Sequence, residues 1–493
     1  MIARRLAALA VMTTIVACGG GADDAPDVSV TPGAGGAGGA GAAGIAGSSG
    51  AAGVTSAAGA AGGAASSGAA GGAGASGAAG GAGASGVAGA AGGAGASGSP
   101  AATRYPIGQV HSPLSPSVVS RAKATLASGS GRPTVFAKIG ASNTVAAGFA
   151  RCFATGDVKL GAHAALAPAI AHFGQTKVDA DHVSFDRVTL AATVGWGAKK
   201  TLEGSPSPIE QEVAAIAPGF AVLLLGTNDT YEAGVAPFDA SMSAVLDALL
   251  ALGVVPIVTT LPPRRDSAAA RALVPEMNAI LRALAEERQV PLVDLFSVLD
   301  PMPNGGVGAD GVHLPTYTDA GAHGCWLDDA GLSAGMNQRN LVTLEALDRV
   351  RRVVVGDEAP EPPSPPLAGV GTLADPLVVD ALPFAHHGDT TGAPSSLSLY
   401  SCGAQDEGGG ERVYRVTLPA PASLSIRVFD DATTDVDLHV LSQPSASACV
   451  ARDDRALVVD APAGDTFVVV DTFQKAGVPQ AGRYRLTIVA TQP

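Results

Sequence analysis

The sequence contains few charged residues, and its acidic residues outnumber its basic ones. Only 15% of its 493 residues are charged, and 30 Lys and Arg stand against 44 Asp and Glu, which gives a net charge of −14. Nucleic-acid binding requires a basic face to meet the phosphates, so this balance argues against a nucleic-acid partner.

The stretch of residues 33–99 lacks charged residues, aromatic residues and proline. The missing proline and the irregular glycine spacing exclude a collagen helix. The stretch is almost wholly Gly, Ala and Ser, and the nine residues 69–77 recur at 78–86 and 90–98. Such a chain buries too little apolar surface to offset its conformational entropy, so residues 18–103 are predicted to form a disordered linker.

Residues 1–17 have the pattern of an export signal. Arg4 and Arg5 precede an apolar run that ends at residue 17, which is shorter than the roughly 20 residues of a membrane-spanning helix. The sequence Ile15-Val16-Ala17-Cys18 resembles the bacterial lipobox. The resemblance implies cleavage before Cys18, lipidation of its thiol and, with Gly19 next, anchoring in the outer membrane on its periplasmic or cell-surface face. The alternative is an ordinary signal peptide that happens to contain a cysteine.

The remaining cysteines are even in number and fit an oxidising compartment. Cys152, Cys325, Cys402 and Cys449 allow three pairings. Pairing within each domain proposed below favours Cys152 with Cys325 and Cys402 with Cys449, and unpaired buried thiols are the alternative. No CxxC spacing occurs, so the sequence predicts no zinc site.

Residues 104–356 alternate short apolar runs with helical patterns, which predicts an α/β domain with a doubly wound parallel sheet. Apolar positions recur at helical spacing over 238–252 and 277–284, and Pro275 suits a first helical turn. In such sheets the functional site lies at the carboxyl ends of the strands. The predicted strands are 133–139, 187–194, 220–225, 254–259 and 290–296.

Beyond a Pro-rich linker at residues 357–371 the helical periodicity stops. Residues 372–493 contain short β-branched or alternating segments separated by turn residues, which predicts a small all-β sandwich. The predicted strands are 413–418, 424–429, 436–441, 457–459, 467–470 and 484–489.

Four short motifs follow the predicted strands of the α/β domain. Ser142 lies directly after the first strand, where it is either a nucleophile or a helix N-cap. Gly195 follows the second, where it allows close approach of a backbone N–H or forms a plain turn. Asn228 follows the third, and its uncharged amide suits an oxyanion but also suits an Asx turn. Asp310 and His313 are three residues apart in a Gly-rich loop, at the spacing of a carboxylate–imidazole pair or of a chance match.

Taken together, this order of Ser, Gly, Asn and Asp-x-x-His resembles the SGNH hydrolases, the GDSL-type esterases and lipases, over roughly residues 133–354. The resemblance implies that Ser142 is the nucleophile, His313 the general base and acid, and Asp310 the carboxylate that orients His313. It implies an oxyanion hole made by the N–H groups of Ser142 and Gly195 and the side chain of Asn228. The implied activity is hydrolysis of carboxylic esters through an acyl-enzyme, without metal or cofactor.

Two positions depart from that family. Ala141 stands where the family usually has Asp before the nucleophile, and Gly197 offers an alternative alignment to Gly195. No long apolar lid insertion is present, which favours short acyl groups, such as acetyl esters of polysaccharides, over lipid esters. A surface or polymer-binding lipoprotein that keeps the fold without turnover is the alternative from another class.

The tail resembles the bacterial pre-peptidase C-terminal domain, a β-sandwich appended to secreted enzymes. The residues that carry the resemblance are 413–416, 435–440 and 481–487. Some domains of this kind bind calcium. A group of acidic residues suits that ion or forms a solvated acidic face: Asp430, Asp431, Asp435 and Asp437.

Overall fold

A computed structural model of the chain describes residues 102–232, 234–405 and 407–491. The predicted signal peptide, Cys18 and the repeats of the Gly-rich linker lie outside the described residues. Those described fall within one compact unit, Gly92–Pro493. Every helix in this part of the chain is too short or too polar to cross a membrane.

The first part of the described chain is an α/β domain. Its helices are α1 (Pro116–Ser128), α2 (Ser142–Val145), α3 (Cys152–Thr155), α4 (Ala167–Gly174), α5 (Pro208–Ile216), α6 (Asp229–Glu232), α7 (Val235–Ala251), α8 (Ala268–Arg288), α9 (Leu295–Leu299) and α10 (Gly335–Val350). Its strands are β1 (Arg132–Gly140), β2 (Val158–Lys159), β3 (Pro218–Leu224), β4 (Val255–Thr259), β5 (Leu292–Val293) and β6 (Cys325–Trp326). The main sheet has the order β1-β3-β4-β5 with all pairs parallel. The predicted parallel α/β fold is confirmed.

The continuous apolar runs of this sheet reflect cover on both of its faces. Every residue of β3 and of β4 is buried, so these strands show no alternation of polar and apolar positions. Helix α7 has the predicted 3.6-residue period, and Phe238, Met242 and Leu249 on one face are buried. These elements place the carboxyl ends of β1 and β3 at one edge of the sheet.

The predicted strand at 187–194 is wrong. Only Ala192 pairs with the sheet, in an isolated parallel bridge to Gly140. Val188 and Val194 are 65% and 67% exposed, so the apolar run is not buried as a central strand requires. The N–H of Leu190 donates to the Glu212 carboxylate at 2.9 Å, which replaces a ladder hydrogen bond by a side-chain one.

Two further boundaries differ from the prediction. Pro275 lies inside α8 and not in its first turn, because the helix begins earlier, where Ser267 caps it by accepting from the N–H of Ala270. The run 290–296 forms only the two-residue strand β5. Asp294 then caps α9 by accepting from the N–H of Ser297, which turns the second half of the run into helix.

The second part of the described chain is a β-sandwich, as predicted. Its strands are β7 (Leu377–Val378), β8 (Phe384–Asp389), β9 (Arg412–Leu418), β10 (Ala422–Asp430), β11 (Val436–Leu441), β12 (Cys449–Asp453), β13 (Ala456–Ala461), β14 (Gly464–Thr472), β15 (Gln474–Lys475), β16 (Val478–Pro479) and β17 (Arg483–Thr491). Two sheets have the orders β13-β10-β17-β8 and β12-β11-β14-β9-β7. Their inward side chains, including Ile426, Leu438 and Val468, form one core.

The sandwich packs against α8 of the α/β domain. Ala279 and Ala283 of α8 form a small buried cluster with Ala385 and Val489 of the sandwich. Arg485 donates to Asp239 at 2.8 Å and to Glu287 at 2.9 Å across the same contact. The contact is therefore apolar at one point and ionic at another.

The Pro-rich segment is held against the α/β domain. The Glu361 carboxylate accepts the N–H of Leu114 at 2.8 Å and pairs with the Arg349 guanidinium. These contacts fix one point of the segment between the two domains.

Both predicted disulfides are formed. Cys152 of α3 is bonded to Cys325 of β6, 173 residues away, and Cys402 to Cys449, 47 residues away. The first bond joins the segment after Ser142 to the segment after His313. The alternative of unpaired buried thiols is wrong.

Candidate active site

Ser142 lies at the junction of β1 and α2. The strand ends at Gly140 and the helix begins at Ser142 itself. A Cβ on Gly140 would lie 2.1 Å from the Thr144 Oγ1 and 2.7 Å from the Leu224 carbonyl oxygen, so only glycine allows this turn. The tight junction leaves the Ser142 side chain half-buried at the edge of the sheet.

Ser142, His313 and Asp310 form one hydrogen-bonded chain. His313 Nε2 lies 2.9 Å from Ser142 Oγ, and His313 Nδ1 lies 2.6 Å from Asp310 Oδ2. An ionised carboxylate is only an acceptor, so Nδ1 carries the proton and Nε2 is left to accept from the Ser142 hydroxyl. The structure thus brings together the three residues singled out from the sequence, 171 residues apart at the widest.

Backbone groups hold Asp310 in its charged form. Its Oδ1 accepts the N–H of Val312 at 2.9 Å and that of His313 at 3.0 Å. These hydrogen bonds, the Val312 one above all, lower the pKa of Asp310 to about 2. Gly311 has φ +70° and packs against the Asp266 N–H, where a Cβ would come within 2.4 Å. The loop therefore needs glycine between the carboxylate and the imidazole.

Two loops form the opposite side of the site. Asn228 follows β3 through Gly226, and its Nδ2 donates to the Trp196 carbonyl at 2.8 Å. The Asp229 carboxylate accepts the Ala198 N–H at 3.1 Å from both oxygens. These contacts hold the loop of Gly195 against the loop of Asn228, and one amide hydrogen of Asn228 is left for another acceptor.

The backbone distinguishes Gly195 from Gly197. Gly195 has φ +84° with open space around it, whereas a Cβ on Gly197 would lie 3.0 Å from Asp229 Oδ1. Within the described ranges, neither Gly195 nor Ser142 donates its N–H to a backbone acceptor. Two N–H groups and one amide hydrogen are therefore available for an anionic oxygen.

Two of the four acidic residues that the sequence offers for calcium are paired with arginines. Asp430 pairs with Arg455, and Asp437 accepts from Arg452 at 3.0 Å. Across the described residues, the side chains close enough to share a metal ion are those of Cys402, His439 and Cys449, and the two cysteines are bonded to each other. The geometry gives no support to a calcium site at Asp430 and Asp437.

Buried polar residues of α10, missed from the sequence, anchor the loops around the site. Asn340 accepts the Ala150 N–H and donates to the carbonyls of Gly148 and Gly324 at 2.8 and 2.9 Å. Asn337 hydrogen-bonds to the backbone of the segment after His313. It accepts the N–H of Tyr317 and donates to the carbonyls of His323 and Trp326. Both are fully buried. Polar residues in the apolar face of a long helix are the signal that points to them.

Residues 156–317 match the model of the GDSL-like lipase/acylhydrolase family. These residues therefore form a GDSL-like lipase/acylhydrolase domain. The matched segment contains Gly195, Asn228, Asp310 and His313, and it begins after Ser142. No curated protein matches the chain.

Several solved structures are similar to parts of the chain. An acetylxylan esterase from Geobacillus stearothermophilus is 14% identical over 44% of this chain and 95% of its own, with a TM-score of 0.29. A GDSL-like lipase from Bacteroides thetaiotaomicron is 16% identical over 47% of this chain and 98% of its own, with a TM-score of 0.27. The pre-peptidase C-terminal domain of a Bacillus anthracis collagenase is 13% identical over 22% of this chain and 91% of its own, with a TM-score of 0.16.

Proposed function

We propose that the protein is an exported, lipid-anchored serine esterase that hydrolyses short acyl esters of polysaccharides through Ser142, His313 and Asp310. The observation that carries the proposal is the unbroken hydrogen-bonded chain from Ser142 Oγ through both ring nitrogens of His313 to Asp310, at 2.9 and 2.6 Å. It has the geometry of a nucleophile, a base and an orienting carboxylate.

In the first half of the reaction, Ser142 Oγ attacks the ester carbonyl as His313 Nε2 takes its proton. Asp310 stabilises the imidazolium that forms and keeps the ring in place. The negative charge on the carbonyl oxygen is met by the N–H groups of Ser142 and Gly195 and the Asn228 amide. The tetrahedral intermediate collapses, His313 returns the proton to the leaving alcohol, and an acyl-Ser142 remains.

In the second half, water attacks the acyl-enzyme carbonyl while His313 Nε2 accepts a proton from it. The same three donors meet the oxyanion a second time. Collapse of this intermediate breaks the bond to Ser142 Oγ, which takes back the proton held by His313. The products are the carboxylic acid and the free enzyme, and water is the co-reactant.

The exposure of the site supports a large alcohol component. The side chains of His313 and Asp310 are 51% and 52% exposed. A half-exposed imidazole is reached from outside by an acyl group carried on a polymer, whereas a long acyl chain needs an apolar channel to cover it. We therefore propose acetyl esters on a polysaccharide ahead of lipid esters.

The location is proposed from the N-terminal motif and supported by the two disulfides, which persist in oxidising compartments. The test is a Cys18→Ser variant followed by radiolabelled palmitate incorporation and membrane fractionation in a Gram-negative host. We expect the natural chain to take up label and sediment with outer membranes, and the variant to do neither. Label in the variant, or a natural chain that stays soluble, would reject the anchor.

The activity is tested on residues 102–493 with p-nitrophenyl esters from acetate to palmitate and with an acetylated xylan. Ser142→Ala is the matched inactive variant, and a fluorophosphonate probe reports on the nucleophile directly. We expect turnover of acetate above palmitate, release of acetate from the polymer, and loss of both activity and labelling in Ser142→Ala. A folded protein that neither turns over nor labels would be a binding protein instead, and preference for palmitate would make it a lipase.

A further inference from the structure

We propose that Arg339 of α10 is a positioning residue for Ser142, whose buried positive charge and two hydrogen bonds fix the turn that carries the nucleophile. The inference rests on the proposed function, because it assigns a role in the reaction of Ser142. No sequence motif around the site includes Arg339.

Arg339 lies directly behind the nucleophile turn. Its Nη1 donates to the Asn143 carbonyl at 2.6 Å and its Nη2 donates to Thr144 Oγ1 at 3.1 Å. Asn143 and Thr144 are the two residues that follow Ser142 in α2. The guanidinium therefore hydrogen-bonds to the two residues of the short helix that follow the nucleophile.

This guanidinium is a buried charge without a counterion. Arg339 is fully buried, and in the described part of the chain no carboxylate lies within ion-pair distance of it. Burial lowers its pKa to about 9. Its other favourable contact is with the face of the Phe149 ring, 3.6 Å from the guanidinium carbon. An apolar side chain would fill the same space without the cost of burying an ion, so packing alone does not account for arginine here.

The contacts of Arg339 continue to both reacting side chains. Thr144 Oγ1 sits against Gly140, where a Cβ would come within 2.1 Å, so the bond from Arg339 fixes the junction of β1 and α2. Asn143 Oδ1 accepts the N–H of Leu314, the residue after His313, at 3.0 Å. A shift of Asn143 would therefore change the position of Ser142 and of the His313 loop together.

The sign of the charge also suits the reaction. Negative charge develops on the ester oxygen, which the proposed mechanism places against the N–H of Ser142, the first residue of the turn that Arg339 holds. In a buried site a fixed positive charge is only weakly screened, so it favours the charged transition state over the neutral ground state. The interaction does not strengthen binding of the neutral substrate. Losing the Arg339 charge should therefore lower kcat and leave KM nearly unchanged.

The test uses the full-length chain in detergent with p-nitrophenyl acetate and a fluorophosphonate. Arg339→Gln removes the charge, and Arg339→Lys retains it while losing the fork of donors. Arg132→Gln is the matched control, because Arg132 donates to the carbonyls of Lys177 and Ile216 at the far end of β1. Near-UV circular dichroism and thermal melting report folding of each variant.

We expect Arg339→Gln to lower kcat about tenfold or more and to slow labelling of Ser142 in proportion, with KM within about twofold. Arg339→Lys recovers part of the loss, and Arg132→Gln behaves like the natural chain. A folded Arg339→Gln with unchanged kcat, or equal losses in the Gln and Lys variants, would overturn the inference.

A second variant decides the matter should Arg339→Gln fail to fold. Thr144→Val removes one acceptor of Arg339 and keeps the charge and the side-chain volume. A lower kcat with an unchanged melting temperature supports the inference, and an unchanged kcat rejects it. An inactive natural chain, or an active Ser142→Ala, would instead reject the proposed esterase itself, so the two failures are distinguishable.

Discussion

Asn143 Oδ1 accepts the backbone N–H of Leu314 at 3.0 Å, and so joins the residue after the candidate nucleophile to the residue after the candidate base. Both partners are buried, at 5% exposure each. The distance between Ser142 and His313 is therefore set by a bond between their neighbours as well as by their own contact.

Removing that bond is expected to affect both stability and turnover. Asn143→Ala leaves the buried N–H of Leu314 without an acceptor, which costs about 1–3 kcal/mol of unfolding free energy. It also loosens the alignment of Ser142 with His313, so kcat falls. Asn278→Ala, which removes two hydrogen bonds to Leu261, is the control for a stability loss alone. Urea unfolding and esterase kinetics on both variants check this, and equal kcat values in the two would contradict it.

Asn228 is expected to contribute to the transition state rather than to substrate binding. Asn228→Ala removes one proposed oxyanion donor and frees the Trp196 carbonyl that the side chain now holds. Loss of a single donor of this kind lowers kcat about 10²–10³-fold. Steady-state kinetics on p-nitrophenyl acetate measure the effect, and Ser142→Ala gives the background rate. A rise in KM with kcat unchanged would assign Asn228 to the ground state instead.

Asp310 gives a pH dependence whose sign follows from its depressed pKa. The pKa is about 2 in the folded protein against 3.8 for the ordinary carboxyl, so the charged form is favoured by folding. The resulting stability is present above about pH 4 and is lost as the pH falls through about 2. The unfolding free energies of the natural chain and of Asp310→Asn, measured in urea from pH 5 to pH 2, should converge at the acid end. A gap that is constant with pH would show that hydrogen-bond geometry, not charge, is responsible.

The disulfide from Cys152 to Cys325 is expected to be the more stabilising of the two. It closes a loop of 173 residues against 47 for the Cys402–Cys449 bond. The chain-entropy model assigns about 5 kcal/mol to the first and about 4 kcal/mol to the second. Paired Cys→Ser variants of each bond, compared by urea unfolding, test the order. Of the two paired variants, we expect only the one that lacks the Cys152–Cys325 bond to have a lower kcat, because that bond tethers the segment after His313. A loss of activity in the variant that lacks the Cys402–Cys449 bond would contradict this.

The ion pairs at the sandwich contact provide a further test. Arg485→Ala leaves the Asp239 carboxylate, 9% exposed, without its cation. Breaking a buried pair from one side costs about 3–5 kcal/mol of unfolding free energy at neutral pH. Arg485→Ala with Asp239→Asn should recover part of that loss, because no unpaired charge is then buried. Thermal melting of the two variants decides this, and identical melting temperatures would mean that the Asp239 charge is unimportant.

The sequence predicts a structural feature correctly when the residues that determine it are neighbours along the chain. The strands at 220–225 and 254–259 were predictable because burial on both faces gives an unbroken apolar run. The run at 187–194 is also largely apolar, but its Leu190 N–H donates to Glu212 instead of to a neighbouring strand, and nothing within the run reveals that partner. Proline favours the first turn of a helix, so the sequence predicts a helix start at Pro275, whereas the Ser267 cap begins α8 earlier.

The candidate site divides in the same way. Ser142, Asn228, Asp310 and His313 lie in short motifs at the ends of elements, so residue type and spacing were enough to select them. Arg339 and Asn340 act through contacts with residues about 190 positions away along the chain, and only the folded arrangement reveals those partners. Long-range hydrogen bonds of a buried helix face have no local pattern to read.

The contacts of Glu361 with Leu114 and Arg349 have a consequence for a chain that is cleaved in the Pro-rich segment. A protease that cuts the Pro-rich segment before Glu361 breaks one covalent connection, but the bonds of Glu361 to Leu114 and Arg349, and those of Arg485 to α7 and α8, do not depend on backbone continuity. The two fragments would therefore remain together as a nicked particle, and the tail would behave as a non-covalently bound subunit of the enzyme that precedes it.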